Sequence, residues 1–173
     1  MKRSVAMAAA AVSLLLFPAC MPELYHMGGL KPAPMQEMNT FCVRMFENHT
    51  TQPEAGMMMT TALADAMQRD GTYRLASSSQ ADFILSGEVM QISRESLLTD
   101  PRDTYLSREV GISVHVRYAV RNGRTGETVL QRTVIAQGSY FSDTGNVQSA
   151  VSSALSAATR RAAENITDEL TTP

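Results

Sequence analysis

The stretch Val110-Gly111-Ile112-Ser113-Val114-His115-Val116-Arg117-Tyr118-Ala119-Val120 decides the fold. Val110, Ile112, Val114, Val116, Tyr118 and Val120 occupy every second position. Glu109, Ser113, His115, Arg117 and Arg121 fall on the alternate side. Side chains alternate across an extended chain, so this spacing predicts a long strand with one buried and one wet face. Asn122-Gly123-Arg124-Thr125-Gly126 follows at once and reads as a turn, with two glycines to supply positive φ. Glu127 to Phe141 is then a second β-rich run carrying Val129, Val134, Ile135, Tyr140 and Phe141. The centre is an antiparallel hairpin with long arms, and its apolar face must be covered by the rest of the chain.

Upstream, Ala81 to Val89 opens another strand that continues through Ile92, and Leu98 to Thr104 reads as the loop into the central hairpin. Met38 to Phe46 reads as the first strand, with Phe41, Val43 and Met45 on one face and Cys42 as a small core hydrophobe. Between these strands, Met59, Leu63 and Met67 form an i, i+4, i+8 stripe, widened by Ala55, Ala62 and Ala66. That predicts a helix from about Pro53 to Arg69, capped near Thr51 or Gln52 and stopped by Gly71. Strand, helix and strand make a crossover, which puts the two strands parallel. Tyr73 to Ala76 is a short extended piece. After a turn at Ser142 to Asn146, Val147, Val151, Leu155, Ala158, Ala162, Ile166 and Leu170 recur at helical spacing. This second helix has a seam of small residues that lets it lie close to a sheet.

At 173 residues the chain suits one domain with a real core. A formal charge of −2 and a pI near 5.9 carry no nucleic-acid signature. Lys2 and Arg3 precede an apolar stretch from Val5 to Phe17, then Pro18-Ala19-Cys20, the pattern of an export signal. The stretch is too short to span a bilayer as a helix. Phe17-Pro18-Ala19-Cys20 resembles a lipobox, which makes Cys20 the lipid-attachment residue. Met21 rather than aspartate follows it, a sorting pattern that implies outer-membrane retention. With residues 1–19 removed, 13 basic residues face 17 acidic ones, and Lys31 is the one remaining lysine. Residues 20–37 hold Gly28, Gly29 and three prolines and read as a flexible tether, leaving residues 38–173 as a single domain.

Catalytic constellations are lacking. The sequence has no glycine-rich phosphate loop, no Gly-x-Ser-x-Gly elbow and no histidine or cysteine set at metal-ligand spacing. His49 reads as a loop residue, and His115 beside Glu109 and Arg117 as part of a solvated face. The expectation is a non-enzymatic protein with no cofactor and no metal.

With these segments placed, the sequence resembles the LPS-assembly lipoprotein LptE family. The stretches that carry the likeness are Leu24 to Pro32 behind the cysteine, Phe46-Glu47-Asn48-His49-Thr50, and Leu63 to Gly71. Ala81 to Val89 and Arg121-Asn122-Gly123-Arg124-Thr125-Gly126-Glu127 complete the order, with the terminal helix behind them. The resemblance implies an α+β two-layer sandwich, with two helices on one face of a four-stranded mixed sheet in the order β-α-β-β-β-α. It implies a lipid anchor in the periplasmic leaflet of the outer membrane, and a place as plug and assembly partner inside the LptD barrel. Members are thought to contact lipopolysaccharide through basic residues at one end of the sheet, and Arg102 stands in the corresponding loop. The family's lysine after the fourth strand has no counterpart, since no Lys or Arg lies between Val134 and Thr159. Phe46-Glu47-Asn48 and Ala81-Asp82 also resemble lipoproteins related to the curli-secretion pore and to peptidoglycan-synthase activators, the alternative reading.

Overall fold

The computed structural model describes residues 31–100, 103–141 and 147–172. The deciding stretch lies within β5, Asp103–Asn122, a strand of 20 residues. Ile112, Val114, Val116, Tyr118 and Val120 are all buried. Their alternates Ser113, His115, Arg117 and Ala119 stay partly exposed on the open face. β6, Thr128–Phe141, pairs with β5 antiparallel from Glu109↔Phe141 to Arg121↔Thr128, as the hairpin expectation requires. In β6 the inward residues are Val134, Ala136 and Gly138, whereas Ile135 and Phe141 point outward and are exposed.

The turn works differently from its sequence reading. Gly126 alone takes a positive φ, of 75°. Gly123 serves close approach instead: a Cβ there would collide with the Ala81 carbonyl, and its N–H donates to Asp82 O at 2.7 Å. Asn122 closes the turn by accepting from the Arg124 and Thr125 N–H groups.

β4, Phe83–Asp100, pairs antiparallel with β5 as far as Asp100↔Asp103. The expected loop over Leu98 to Thr104 is therefore mostly strand, because the pairing of two long arms continues almost to their tip. A register shift between Val89 and Gln91 makes Met90 the extra residue of a bulge. The inward set consequently changes phase, from Phe83, Leu85 and Val89 to Ile92.

The sheet has six strands, not four. The expected first strand is broken into β1, Thr40–Val43, and β2, Glu47–Asn48, both parallel to β4. The break resets the alternation. Met45, expected inside, is 70 % exposed, and Phe46 is 2 % exposed. Cys42 sits opposite Phe41 on the other face and is only half-buried, so it is not the core residue expected. The sixth strand, β3, is Arg74–Leu75, parallel to β1 at the sheet's edge. The strand order is β3-β1-β4-β5-β6.

The first helix, α1, covers Ala55–Asp70 and ends at Gly71, whose φ of 79° gives the left-handed cap expected. Its start is not capped by a side chain. Asn48 holds the preceding loop instead, donating to Gln52 O at 2.7 Å and accepting from the Thr50 N–H and hydroxyl. Met59, Leu63 and Met67 are fully buried beneath it. The second helix, α2, covers Val147–Thr171. It lies over β5 and β6 and against α1. Val151, Leu155, Ala158, Ala162, Ile166 and Leu170 face the core, but Val147 is exposed in the first turn. A Cβ on Gly138 would strike the Ala154 carbonyl, so the small-residue seam brings helix backbone onto strand backbone.

Residues 31–37, expected in the tether, are held by the domain. A 3-10 turn at Ala33–Met35 buries Met35 completely. Lys31 donates to Met38 O at 2.8 Å and Asn39 Oδ1 at 2.7 Å, and its ammonium lies 5.3 Å from the Tyr73 ring centre.

Candidate functional site: the open face of the sheet

Both helices lie on one side, so the alternate residues of β1, β4, β5 and β6 form a second, uncovered face. The registers set its rows. Ala119 lies between Ser86 and Gln131, and Arg117 lies between Glu88 and Thr133. β2 adds Glu47 beside Glu88, and His49 follows, its N–H donating to Val89 O at 3.0 Å.

Across this face runs a charged chain. Arg117 binds Glu88 Oε1 through Nε and Nη2, each at 2.6 Å. His49 Nε2 lies 3.0 Å from Glu88 Oε2 and 3.8 Å from Glu47. The Arg117 hydrogen bond holds the Glu88 carboxyl below its ordinary pKa, helped by His49, and Glu88 raises Arg117 in return. All of these groups are solvent-accessible, so the chain orients side chains more than it stabilises the fold. His115 and Arg117 both lie on this partly exposed face, as the sequence reading has it, and Arg117 is bound by Glu88 across the strands. Glu88 and Arg44 were not singled out in the sequence. Only the register could have placed them here.

Beside the chain, Ser86, Gly87 and Ala119 floor a depression of about 290 Å³. Arg44, Arg121, Gln131 and Thr128 stand around it. A second groove, of about 350 Å³, runs between the helices on the opposite side of the molecule, lined by Met57, Met58, Ala62 and Arg160. The methionines of α1 are thus divided between core and groove.

The two residues expected to carry function from the sequence, Cys20 and Arg102, lie outside the described residues. The strand ends flanking Arg102, Asp100 and Asp103, are paired at the far tip of the β4–β5 hairpin. Among the described residues, no group of three or more His, Cys, Asp or Glu could hold a metal ion. No described helix is long and apolar enough to cross a membrane.

The family model for LptE, lipopolysaccharide assembly, matches residues 38–172, which run from β1 to the end of α2. The chain belongs to the LptE family. Membership makes it, in general terms, an outer-membrane lipoprotein of lipopolysaccharide assembly, in a family of assembly factors rather than enzymes. No curated protein matches it in sequence. Among solved structures, a putative lipoprotein from Caulobacter crescentus superposes with a TM-score of 0.52 at 15 % identity, covering 76 % of this chain and 87 % of that one. Rare lipoprotein B from Shewanella oneidensis gives 0.50 at 13 % identity, covering 76 % and 92 %. A PelC variant from Paraburkholderia phytofirmans, a dodecamer, gives 0.51 at 18 % identity, covering 83 % and 95 %. At such identities these likenesses concern the fold alone.

Proposed function

We propose that this LptE-family protein is the plug and assembly partner of an LptD-type barrel, held at the periplasmic leaflet of the outer membrane by a lipid on Cys20. The observation that carries the reading is the family match over residues 38–172. Physical features support it. The lumen of a large outer-membrane barrel is polar, so its occupant must be folded and polar outside. A two-layer sandwich with a charged open sheet face meets that condition. Lys31 and Met35 are held by the domain, so only ten residues, 21–30, separate Cys20 from Lys31, the first of the described residues held there. That length reaches at most roughly 40 Å when extended. It suits a partner in the same membrane and not one across the periplasm, and an anchor in that membrane raises the effective concentration at the barrel.

The test is affinity purification of the full-length protein from detergent-solubilised outer membrane. Stoichiometric recovery of an LptD-type barrel is expected; its absence, with the bait folded and abundant, overturns the partnership. Lipopolysaccharide contact through Arg102 is a separate part of the proposal. Arg102→Glu should leave the melting temperature and barrel recovery unchanged while weakening lipopolysaccharide binding about tenfold or more, as loss of a charge-assisted hydrogen bond does. Superimposable isotherms for wild type and variant would remove Arg102 from the site.

A further inference from the structure

We propose that the depression over Ser86 and Ala119 on the open sheet face binds a phosphate-type oxyanion, a site that the plug reading neither needs nor implies. The floor is low because the residues that cross it are small: Ser86 on β4 and its partner Ala119 on β5. The walls are hydrogen-bond donors. Arg44 is fixed beside Ser86 by its own N–H, which donates to Leu85 O at 2.8 Å. Arg121 pairs across from Ile84, one row along the same face. Thr128 and Gln131 close the β6 side.

The charges decide what such a site takes. Five charged groups line it, Arg44, Arg117, Arg121, Glu47 and Glu88. Glu88 is consumed by Arg117 on one oxygen and His49 on the other, and Glu47 stands 3.8 Å from the same imidazole. Arg44 and Arg121 have no carboxylate within ion-pair distance among the described residues. Three guanidiniums against two carboxylates leave the depression one net positive charge, and the Arg44 and Arg121 forks favour an oxyanion such as a phosphate monoester, of charge about −1.5 to −2. Each guanidinium offers a planar fork of donors that fits two oxyanion oxygens at once. The Ser86 and Thr128 hydroxyls and the Gln131 amide can fill the remaining oxygens. The site also stands apart from the Arg102 tip: Asp100 lies fourteen positions along β4 from Ser86, roughly 45 Å along a strand.

The test follows backbone amide shifts of the full-length protein in detergent during titration with two probes, inorganic phosphate and water-soluble dihexanoyl phosphatidic acid. Saturable shifts at Ser86 and Ala119 are expected, weakened at least tenfold by combined Arg44→Gln and Arg121→Gln and abolished by Ser86→Leu, which fills the floor. Arg160→Gln, on the helix side, should change nothing. Response to both probes identifies the phosphate group itself as the ligand. Response to phosphatidic acid alone identifies a lipid headgroup as its source. No saturable shift with either probe, or equal binding by the double variant, overturns the site. Because barrel recovery is read separately, failure here leaves the plug proposal standing, and the reverse also holds.

Discussion

Asp82 stands immediately before β4 and gathers three parts of the chain onto one carboxylate. Its Oδ2 accepts from the Asn39 and Thr40 N–H groups at 3.0 Å and from the Thr40 hydroxyl at 2.9 Å. Arg124 in the hairpin turn approaches Oδ1 at 3.6 Å. The Asn39 backbone hydrogen bond, then the one from the Thr40 hydroxyl, lowers its pKa below the ordinary 3.8. A depressed carboxylate pKa stabilises the fold above the unfolded value and loses that stabilisation as pH falls through the folded one. The melting temperatures of wild type and Asp82→Asn should therefore differ at neutral pH and converge as pH drops below 3.8. A gap that stays constant down to strong acid would show that the ionised form is not what counts. Two adjacent β5 residues give a sharper contrast. Val116 is fully buried and Arg117 faces water. Val116→Asp should cost roughly 3–5 kcal/mol by burying an unpaired charge. Arg117→Asp, now beside Glu88, should shift the melting temperature only slightly. The opposite ranking would mean that the sheet faces are misassigned.

At the scale of elements, α2 is fixed at two places along its buried stripe. In the middle, Gly138 lets the helix backbone at Ala154 and Ala158 meet β6. Near its C-terminus, two sheet-side tyrosines reach it. Tyr73 donates to Leu170 O at 2.8 Å, satisfying a carbonyl in a helix end that lacks further intrahelical partners. Tyr118 donates to Glu169 Oε2 at 2.5 Å. Burial pushes the Tyr73 hydroxyl up to about 12, with Asp70 adding to the shift, so it remains a donor throughout the physiological range. Tyr73→Phe should then cost about 1 kcal/mol in urea unfolding with little change in slope. Gly138→Leu should cost more, about 1–3 kcal/mol, because α2 has to back away from β6. If Gly138→Leu were silent, the close seam would not be what seats the helix.

For the whole molecule, one side of the sheet is spent on the core and the other is left charged and open. No described helix is long and apolar enough to cross a membrane, and the proposed hold on the membrane is acylation of Cys20. Cys20→Ser should leave the protein in the soluble fraction or as an uncleaved precursor, read by membrane fractionation and intact mass. Unchanged partitioning with unchanged mass would eliminate the lipid anchor. The consequence for assembly is that the Ser variant should recover less barrel at equal expression, since tethering no longer concentrates it at the membrane.

Periodicity alone determined the central hairpin, both helices and which side of β5 is buried, because a period of two or of 3.6 is written directly in residue spacing. The Gly71 stop was equally legible, since its left-handed conformation is a local demand. Tertiary structure decided what depends on partners far along the chain. The break between β1 and β2, which turns Met45 out and Phe46 in, follows how β1 and β2 each pair with β4, and the Met90 bulge follows how β4 pairs with β5. Gly123 looked like a turn residue, yet its need is room against Ala81, 42 positions away. The open-face cluster was invisible for the same reason: Arg44 follows β1, Ser86 lies on β4 and Arg117 and Arg121 on β5, and only strand pairing brings them to one depression. Cys20 and Arg102 remain readings of sequence pattern and resemblance. Spacing along a chain reports its own periodicity, and the meeting of distant residues is settled only when strands choose their partners.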